Sequence, residues 1–165
     1  MRVLGIDPGT AACGYGVVIA TANTVRPVDF GCFSTSPNET AAGRLAAIYD
    51  AVAGLIADHG PDAVAVEESY VGADPRTALS VGQARGAILV ACAKGAVDAV
   101  EYPPSTIKQS VCGSGRAGKQ QVQRMVGAML GLEKAPTPHH AADALAVAIC
   151  HALGSPLLTA AGGAA

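Results

Sequence analysis

Short apolar runs separated by turn-forming residues predict three β-strands at the beginning of the chain. The runs cover Arg2–Ile6, Gly14–Ala20 and Val28–Ser34. The sequence Asp7-Pro8-Gly9 lies between the first two runs, and a Gly/Pro turn in that position is typical of an antiparallel strand pair. An antiparallel pair followed by a third strand is therefore expected.

From residue 41 onwards the apolar pattern alternates between the periods of helices and strands. Apolar residues at three- and four-residue spacing predict an amphipathic helix over Ala41–Asp58. Ala63–Val66 has the small and branched apolar composition of a buried strand. The remaining predicted elements are a helix over Pro75–Lys94, a strand over Val97–Tyr102, and helices over Gln120–Leu130 and about His139–Leu153. This order indicates an α/β fold with a mixed central β-sheet flanked by helices.

The length and composition fit one packed domain. The chain has 165 residues, of which 50% are apolar and 15% charged, with a mean hydropathy of +0.35. We predict a single domain over residues 1–154 and a disordered C-terminal tail over 155–165. The pattern contains neither a membrane span nor a secretory signal, and the five cysteines form no CxxC pair, so a cytoplasmic protein is expected.

The net charge of −2 combines two segments of opposite sign with one further acid, Asp143. Residues 1–75 carry three basic and nine acidic side chains, a balance of −6, whereas residues 76–134 carry eight basic and three acidic ones, a balance of +5. A near-neutral total would argue against a nucleic-acid partner. The division along the chain instead leaves room for an acidic centre beside a basic surface.

Two acidic positions directly follow apolar strands. Asp7 follows the first strand, and Glu67-Glu68 follows Ala63–Val66. A carboxylate buried there must be paired, protonated or bound to a cation. The alternatives are that Asp7 only opens a turn and that the glutamates end a surface strand. Because alternation places Glu67 and Glu68 on opposite faces, the pattern does not decide which one points inward.

The predicted last helix contains two further candidate ligands. His140 and Asp143 are three residues apart, so both project from one helical face of an otherwise almost uncharged segment. A helix-start histidine and a first-turn acid stabilised by the helix dipole are the structural alternatives. Three carboxylates and one imidazole fit Mg²⁺ or Mn²⁺ better than Zn²⁺. Two such ions would suit phosphodiester hydrolysis.

A basic segment precedes that helix. Between Tyr102 and Leu132 there is no acidic residue, and the four basic ones are Lys108, Arg116, Lys119 and Arg124. They are candidates for binding the phosphates of a nucleic acid, the alternative being a solvated basic face. The stretch Gly113–Gln120 follows the phosphate-loop pattern for seven positions, but Gln120 replaces the required hydroxyl residue, which argues against a nucleotide site.

Tyr70 is a candidate for stacking on an unpaired base. It is one of six aromatic residues in the chain and follows Glu67 by three positions, at the start of a predicted loop. An exposed ring beside a nuclease centre could stack on a base, whereas core packing is the structural alternative.

Five ordered blocks of the sequence closely resemble the motifs of the RuvC family of Holliday-junction resolvases. They are GIDPGTAACGYGVV (5–18), VAVEESYV (64–71), LSVGQARGAILVA (79–91), IKQSVCGSGRAGKQQVQRMV (107–126) and HHAADALAVAICH (139–151). The resemblance implies a ribonuclease H-like fold and a homodimer that uses Mg²⁺, with Mn²⁺ a possible substitute. It also implies symmetric nicking of two strands of like polarity in four-way DNA junctions, together with a branch-migration helicase complex as partner.

Carried over by position, the resemblance implies a metal site made of Asp7, Glu67, His140 and Asp143. It favours Glu67 over Glu68, and it places His140 where many relatives have Asp, which bears on the choice of metal. Lys108 and Lys119 match basic positions near the cleaved phosphate, and Tyr70 matches a stacking aromatic. Ala73 stands where some relatives have Lys, so one phosphate contact is expected to be missing.

Three other functions share features with this sequence. The opening motif GIDPGT (5–10) also resembles the first phosphate motif of actin-like and sugar-kinase ATPases, but those need two such domains. The nucleases that process ribosomal RNA precursors have the same fold and a similar opening motif, whereas the VGQARG block and the GSGRAGK loop favour the resolvase. A non-catalytic junction-binding module is disfavoured because every metal-site position holds a plausible ligand.

Overall fold

A mixed five-stranded sheet forms the centre of the fold. The structure is a computed structural model that describes residues 1–22, 24–68 and 75–154. The strands are β1 (Arg2–Asp7), β2 (Ala12–Ala20), β3 (Val25–Ser34), β4 (Ala63–Glu67) and β5 (Ala99–Tyr102), in the spatial order β3-β2-β1-β4-β5. β2 runs antiparallel to both β1 and β3, while β1, β4 and β5 are parallel. The carboxyl ends of β1, β4 and β5 therefore meet at one edge, called here the carboxyl edge.

In the described part of the chain, five helices cover the two faces of the sheet. They are α1 (Ala41–His59), α2 (Pro75–Lys94), α3 (Pro104–Cys112), α4 (Lys119–Met129) and α5 (His139–Gly154). One core, which includes Leu4, Ile6 and Val64, lies under α1 and α2. The other, which includes Val3, Val18 and Ala65, lies under α3, α4 and α5. The predicted mixed sheet flanked by helices is confirmed.

Helix α3 is the element that the sequence pattern missed. Pro103 and Pro104 indicated only the end of a strand, but proline is also tolerated in the first turn of a helix, where its missing N–H has no partner to lose. Ile107 and Val111, four residues apart, are the buried positions of α3. Gly113 ends the helix in the left-handed conformation, with φ of 70°.

Three strands also begin two or three residues from their predicted starts, and β2 is one of them, since it begins at Ala12 rather than Gly14. β3 begins at Val25 rather than Val28 and includes Pro27, which an edge strand can accommodate. β5 begins at Ala99 rather than Val97. Among the described residues, no helix combines the length and apolar character needed to cross a bilayer. Residues 155–165 lie outside the described part of the chain, so the disordered tail stays a prediction.

Helix α5 lies unusually close to the sheet because glycines face it. A methyl group added at Gly5 would overlap the backbone of Ala144, and one added at Gly14 would overlap the carbonyl of His140. At Gly16 the added group would lie 2.7 Å from the side chain of Leu145. The backbones of β1 and β2 therefore contact α5 directly, with no side-chain layer between them. This contact fixes the start of α5 against the carboxyl edge.

The close contact predicts a strong effect of a single methyl group at Gly14. Gly14→Ala should lower the free energy of unfolding by about 3 kcal/mol or more, because backbone atoms of α5 would have to move away. The matched control is Gly54→Ala in α1, where no atom lies within 4 Å of the added group. That variant should gain about 0.5 to 1 kcal/mol from helix propensity. Urea unfolding of both variants tests the difference, and wild-type stability of Gly14→Ala would contradict direct seating of α5 on β2.

Candidate active site

Asp7 and Glu67 lie side by side at the carboxyl edge. They end the adjacent parallel strands β1 and β4, whose register pairs Ile6 with Val66. Side chains alternate along each strand, and Gly5 and Ala65, two residues earlier, face α5. Asp7 and Glu67 therefore project towards α5 as well. Two carboxylates from different strands are thus brought to one side of the sheet.

The structure distinguishes Glu67 from Glu68. The pKa of Glu67 responds to the charges of Asp7 and Asp143, so Glu67 belongs to the acidic group. Glu68 instead lies on the side of Arg85 in α2. The hydrogen bond to Glu101 is the largest cause that raises the pKa of Arg85, and burial opposes it. The charges of Glu101 and Glu68 raise the pKa of Arg85 further, which shows that Glu68 lies near it. The question left open by strand alternation is resolved in favour of Glu67.

The first turn and a half of α5 supplies His140 and Asp143. A hydrogen bond of 2.7 Å joins Nδ1 of His140 to Oδ2 of Asp7, with the carboxylate accepting. Asp143 projects from the same helical face one turn later and lies close enough to Asp7 for its charge to raise the pKa of that carboxyl. The direct seating of α5 on β2 at Gly14 and His140 explains why helix and strand side chains meet at this short distance.

Burial dominates the electrostatics of the three acids. The pKa of Glu67 is raised to about 8, mainly by burial and then by the charges of Asp7 and Asp143, while Lys108 and Lys119 oppose the shift. Burial also raises the pKa of Asp7, against the hydrogen bond from His140. The pKa of Asp143 is raised by burial and lowered mainly by Lys119. Ionising all three acids together thus requires more positive charge than the two lysines supply.

The donor set fits a hard divalent cation. Three carboxylates and one imidazole suit Mg²⁺ or Mn²⁺, and a divalent charge would relieve the repulsion that raises these pKa values. Within residues 1–22, 24–68 and 75–154, no three histidine, cysteine or acidic side chains form a ready-made cation cluster. Among the four candidate ligands, the pair joined by a hydrogen bond is Asp7 with His140. The fit therefore rests on the chemistry of the donors and on their mutual repulsion.

The basic residues divide into two groups. Lys108 in α3 and Lys119 at the start of α4 lie near enough to lower the pKa of both Glu67 and Asp143. Arg116, in the loop after α3, and Arg124, on α4, are exposed on the surface. Gly113–Gln120 follows a helix rather than a strand, unlike a nucleotide phosphate loop. Tyr70 and Ala73 lie outside the described residues.

His139 is a site neighbour that sequence reasoning missed. Its ring lies 4.3 Å from the ring of His140, measured between centroids, and its charge lowers the pKa of Asp143. The available signal was its position four residues before Asp143, which places the two on one helical face. Two adjacent histidines, His139 and His140, thus lie beside the acidic group at the start of α5.

Comparisons with known proteins agree with this geometry. The sequence model of the family described as "Crossover junction endodeoxyribonuclease RuvC" matches residues 3–151. A protein of that name from Moorella thermoacetica is 51% identical over 156 residues, covering 94% of this chain and 93% of the relative. The structure of Thermus thermophilus RuvC has a TM-score of 0.84 and 41% identity, covering 92% of this chain and 93% of the other.

A second structure adds a ligand to the comparison. It is T. thermophilus RuvC in complex with a Holliday junction substrate, with a TM-score of 0.85 and 36% identity over 99% of this chain and 97% of the other. The fold class expected from the motif resemblance, a ribonuclease H-like fold, is confirmed by these matches.

The raised pKa of Glu67 predicts how stability depends on pH without metal. Between pH 4.5 and about 8 the folded protein keeps a proton on Glu67 that the unfolded chain has released, so raising the pH favours unfolding. Glu67→Gln carries no such charge. Its melting temperature in EDTA should therefore exceed that of wild type by a few °C at pH 8 and by much less at pH 4.5.

Thermal unfolding with and without Mg²⁺ tests this expectation. Exposed Glu133, changed to Gln, is the matched control and should leave the pH profile unchanged. Saturating Mg²⁺ at pH 8 should narrow the gap between wild type and Glu67→Gln, because a cation would stabilise the ionised carboxylate. If the melting temperatures of wild type and Glu67→Gln change with pH in parallel, the pKa of Glu67 is not raised in the folded protein.

Proposed function

This chain belongs to the RuvC family of crossover junction endodeoxyribonucleases, and we propose that it resolves four-way DNA junctions in recombination and repair by nicking two strands of like polarity. The observation that carries the proposal is the grouping of Asp7, Glu67 and Asp143 at the carboxyl edge, inside the matched residues 3–151. Grouped carboxylates, here half-buried, can hold the cations that metal-dependent phosphodiester hydrolysis uses.

We assign the proposed cation site to four side chains on the chemistry of their donor atoms. Asp7, Glu67, His140 and Asp143 would hold two Mg²⁺ ions, with Mn²⁺ as a possible substitute. When bound, these ions would activate water for attack on the phosphorus and stabilise the leaving oxygen. His140 orients the Asp7 carboxylate through their 2.7 Å hydrogen bond. Lys108 and Lys119 add positive charge at the same place, where it would attract the phosphate and limit repulsion between the acids.

The DNA contacts follow from the position of the basic residues. Lys108 and Lys119 lie beside the acids and would hold the phosphate that is cleaved. Arg116 and Arg124 are exposed on the loop and helix that follow, so they would continue the contact along the backbone. Tyr70, for which the motif resemblance implies base stacking at the junction centre, completes the proposed set.

Cutting two strands symmetrically requires two active sites, which favours a homodimer. Helix α2 offers a surface for it, because one face carries exposed Leu79 and Val90, at 66% and 52% exposure, with Gly82 and Gly86 open between them. The spacing of these four positions places them along one side of the helix. Two open glycines would let a second helix approach closely. We assign this face, called here the α2 face, to contact with a second copy of the chain.

Family membership also bears on the setting of the reaction. A branch-migration helicase complex as partner and a cytoplasmic location are inferred from that membership. A four-way junction presented by such a complex would give the nuclease a substrate at a defined geometry.

Cleavage assays with three substrates test the activity. Purified protein should nick a synthetic four-way junction in Mg²⁺ and leave a plain duplex and a structured RNA largely intact. Asp7→Asn should reduce the cleavage rate roughly a thousandfold or more, because it removes one member of a ligand set that acts as a unit. Junction binding should persist, since the basic residues supply the affinity. Wild-type cleavage by Asp7→Asn, or preferential cleavage of RNA, would contradict the proposal.

The α2 face predicts a dimer that one substitution can separate. Val90→Glu should shift the mass in solution from two chains to one, because it would bury an unpaired charge between two helices. Ala57→Glu on exposed α1 is the matched control and should leave the mass unchanged. Light scattering after size-exclusion chromatography measures both. A monomeric wild type, or a dimeric Val90→Glu of normal stability, would exclude this face as the subunit contact.

A further inference from the structure

Arg44 is a cation held in place entirely by neutral oxygens. It lies in the first turns of α1, where its Nε donates to the hydroxyl of Thr35 and one terminal nitrogen donates to the carbonyl of Thr10, both at 2.8 Å. The Thr35 hydroxyl in turn donates to the same carbonyl at 2.5 Å. These bonds fix the direction of a long side chain that would otherwise be mobile on the surface.

The charge of Arg44 has no acidic partner among the described residues. The ion pairs found there are His59 with Asp29, Arg85 with Glu101 and His140 with Asp7. The first turn of α1 contains no acid, and the nearby Glu39 carboxylate accepts from the backbone N–H of Thr40. A guanidinium has five N–H groups, of which two are used here, so the others remain available to an anion.

The location of Arg44 relates it to the acidic group. Thr10 follows Asp7 by three residues, so their Cα atoms are at most about 11 Å apart. The turn between β1 and β2 and the segment between β3 and α1 both lie at the carboxyl edge. Because α1 and α3 to α5 cover opposite faces of the sheet, Arg44 flanks the acids on the side away from Lys108 and Lys119.

We propose that Arg44 binds a backbone phosphate of the DNA strand that crosses the carboxyl edge. This phosphate lies on the α1 side of the cleaved bond. The inference rests on the proposed junction-cleaving function. Arginine binds phosphate through two parallel N–H bonds, which fixes position as well as supplying affinity. With Lys108 and Lys119 on the other side, the strand is held at both flanks of the acids. Arg44 is therefore a contact that sets which phosphate reaches the metal site.

A purely structural role of Arg44 predicts a different effect on DNA affinity from a phosphate contact. If Arg44 only ties the turn after Asp7 to α1, its loss would lower stability and weaken every DNA ligand to the same extent. A phosphate contact instead depends on the charge of one particular phosphate. Neutral phosphate analogues placed one at a time can therefore separate the two roles.

The experiment measures binding of four-way junctions that carry a single methylphosphonate at successive positions around the cleavage site, in EDTA. For wild type, one analogue on the α1 side should weaken binding roughly tenfold. For Arg44→Gln, unmodified junction should bind roughly tenfold more weakly, and that one analogue should cause no further loss. The slope of log affinity against log salt should fall by about 1. Exposed Lys94→Gln, at the opposite edge of the sheet, should behave as wild type.

Each further result counts for or against the contact. Arg44→Lys keeps the charge but loses the paired N–H geometry, so it should retain the wild-type salt slope and bind the junction with intermediate affinity. If Arg44→Gln unfolds at a lower urea concentration than wild type, Arg44→Lys takes its place in the experiment. Wild-type affinity in Arg44→Gln, or equal losses with every analogue, would overturn the inference while leaving junction cleavage intact. A wild type that neither binds nor cuts the junction would instead overturn the proposed function and the inference with it.

Discussion

The direct contact between α5 and the backbone of β1 and β2 is the constraint on which the site depends. Gly5 and Gly14 leave no room for a side chain beneath α5, so the helix rests on the strands themselves. One consequence is the 2.7 Å approach of His140 to Asp7, residues that are 133 positions apart in sequence. Another is the burial of Glu67 and Asp143 between helix and sheet. The tight packing thus creates both the proximity of the ligands and the electrostatic strain among them.

That strain explains the division of charge along the chain. Burial is the largest cause that raises the pKa of all three acids, and the net pKa of Glu67 is about 8 even with the opposing charges of Lys108 and Lys119. Divalent cations would complete the compensation, so the acidic excess of residues 1–75 and the basic excess of residues 76–134 serve adjacent parts of one site. A net charge of −2 is then compatible with the proposed DNA binding, because the phosphates would contact lysine and arginine while the carboxylates would bind metal.

Sequence reasoning could predict features that follow from local pattern. The strand ends at Asp7 and Glu67 and the helical spacing of His140 and Asp143 are of this kind, and so is the mixed sheet. Helix α3 escaped prediction because Pro103 and Pro104 end a strand and begin a helix with the same residues. The choice between Glu67 and Glu68 needed either a motif resemblance or the sheet register. Arg44 could not be recognised from sequence, because its partners Thr10 and Thr35 meet it only after β1, β2, β3 and α1 have packed together.

The most direct test of the account is the location of bound metal. Anomalous diffraction from crystals of the protein with Mn²⁺ and a junction that carries phosphorothioates at the cleavage positions would measure it. The account predicts two anomalous peaks roughly 4 Å apart, ligated by Asp7, Glu67, His140 and Asp143, in each active site. Manganese bound elsewhere, or peaks whose ligands exclude Asp7 and Glu67, would contradict the claim that these acids form the metal site.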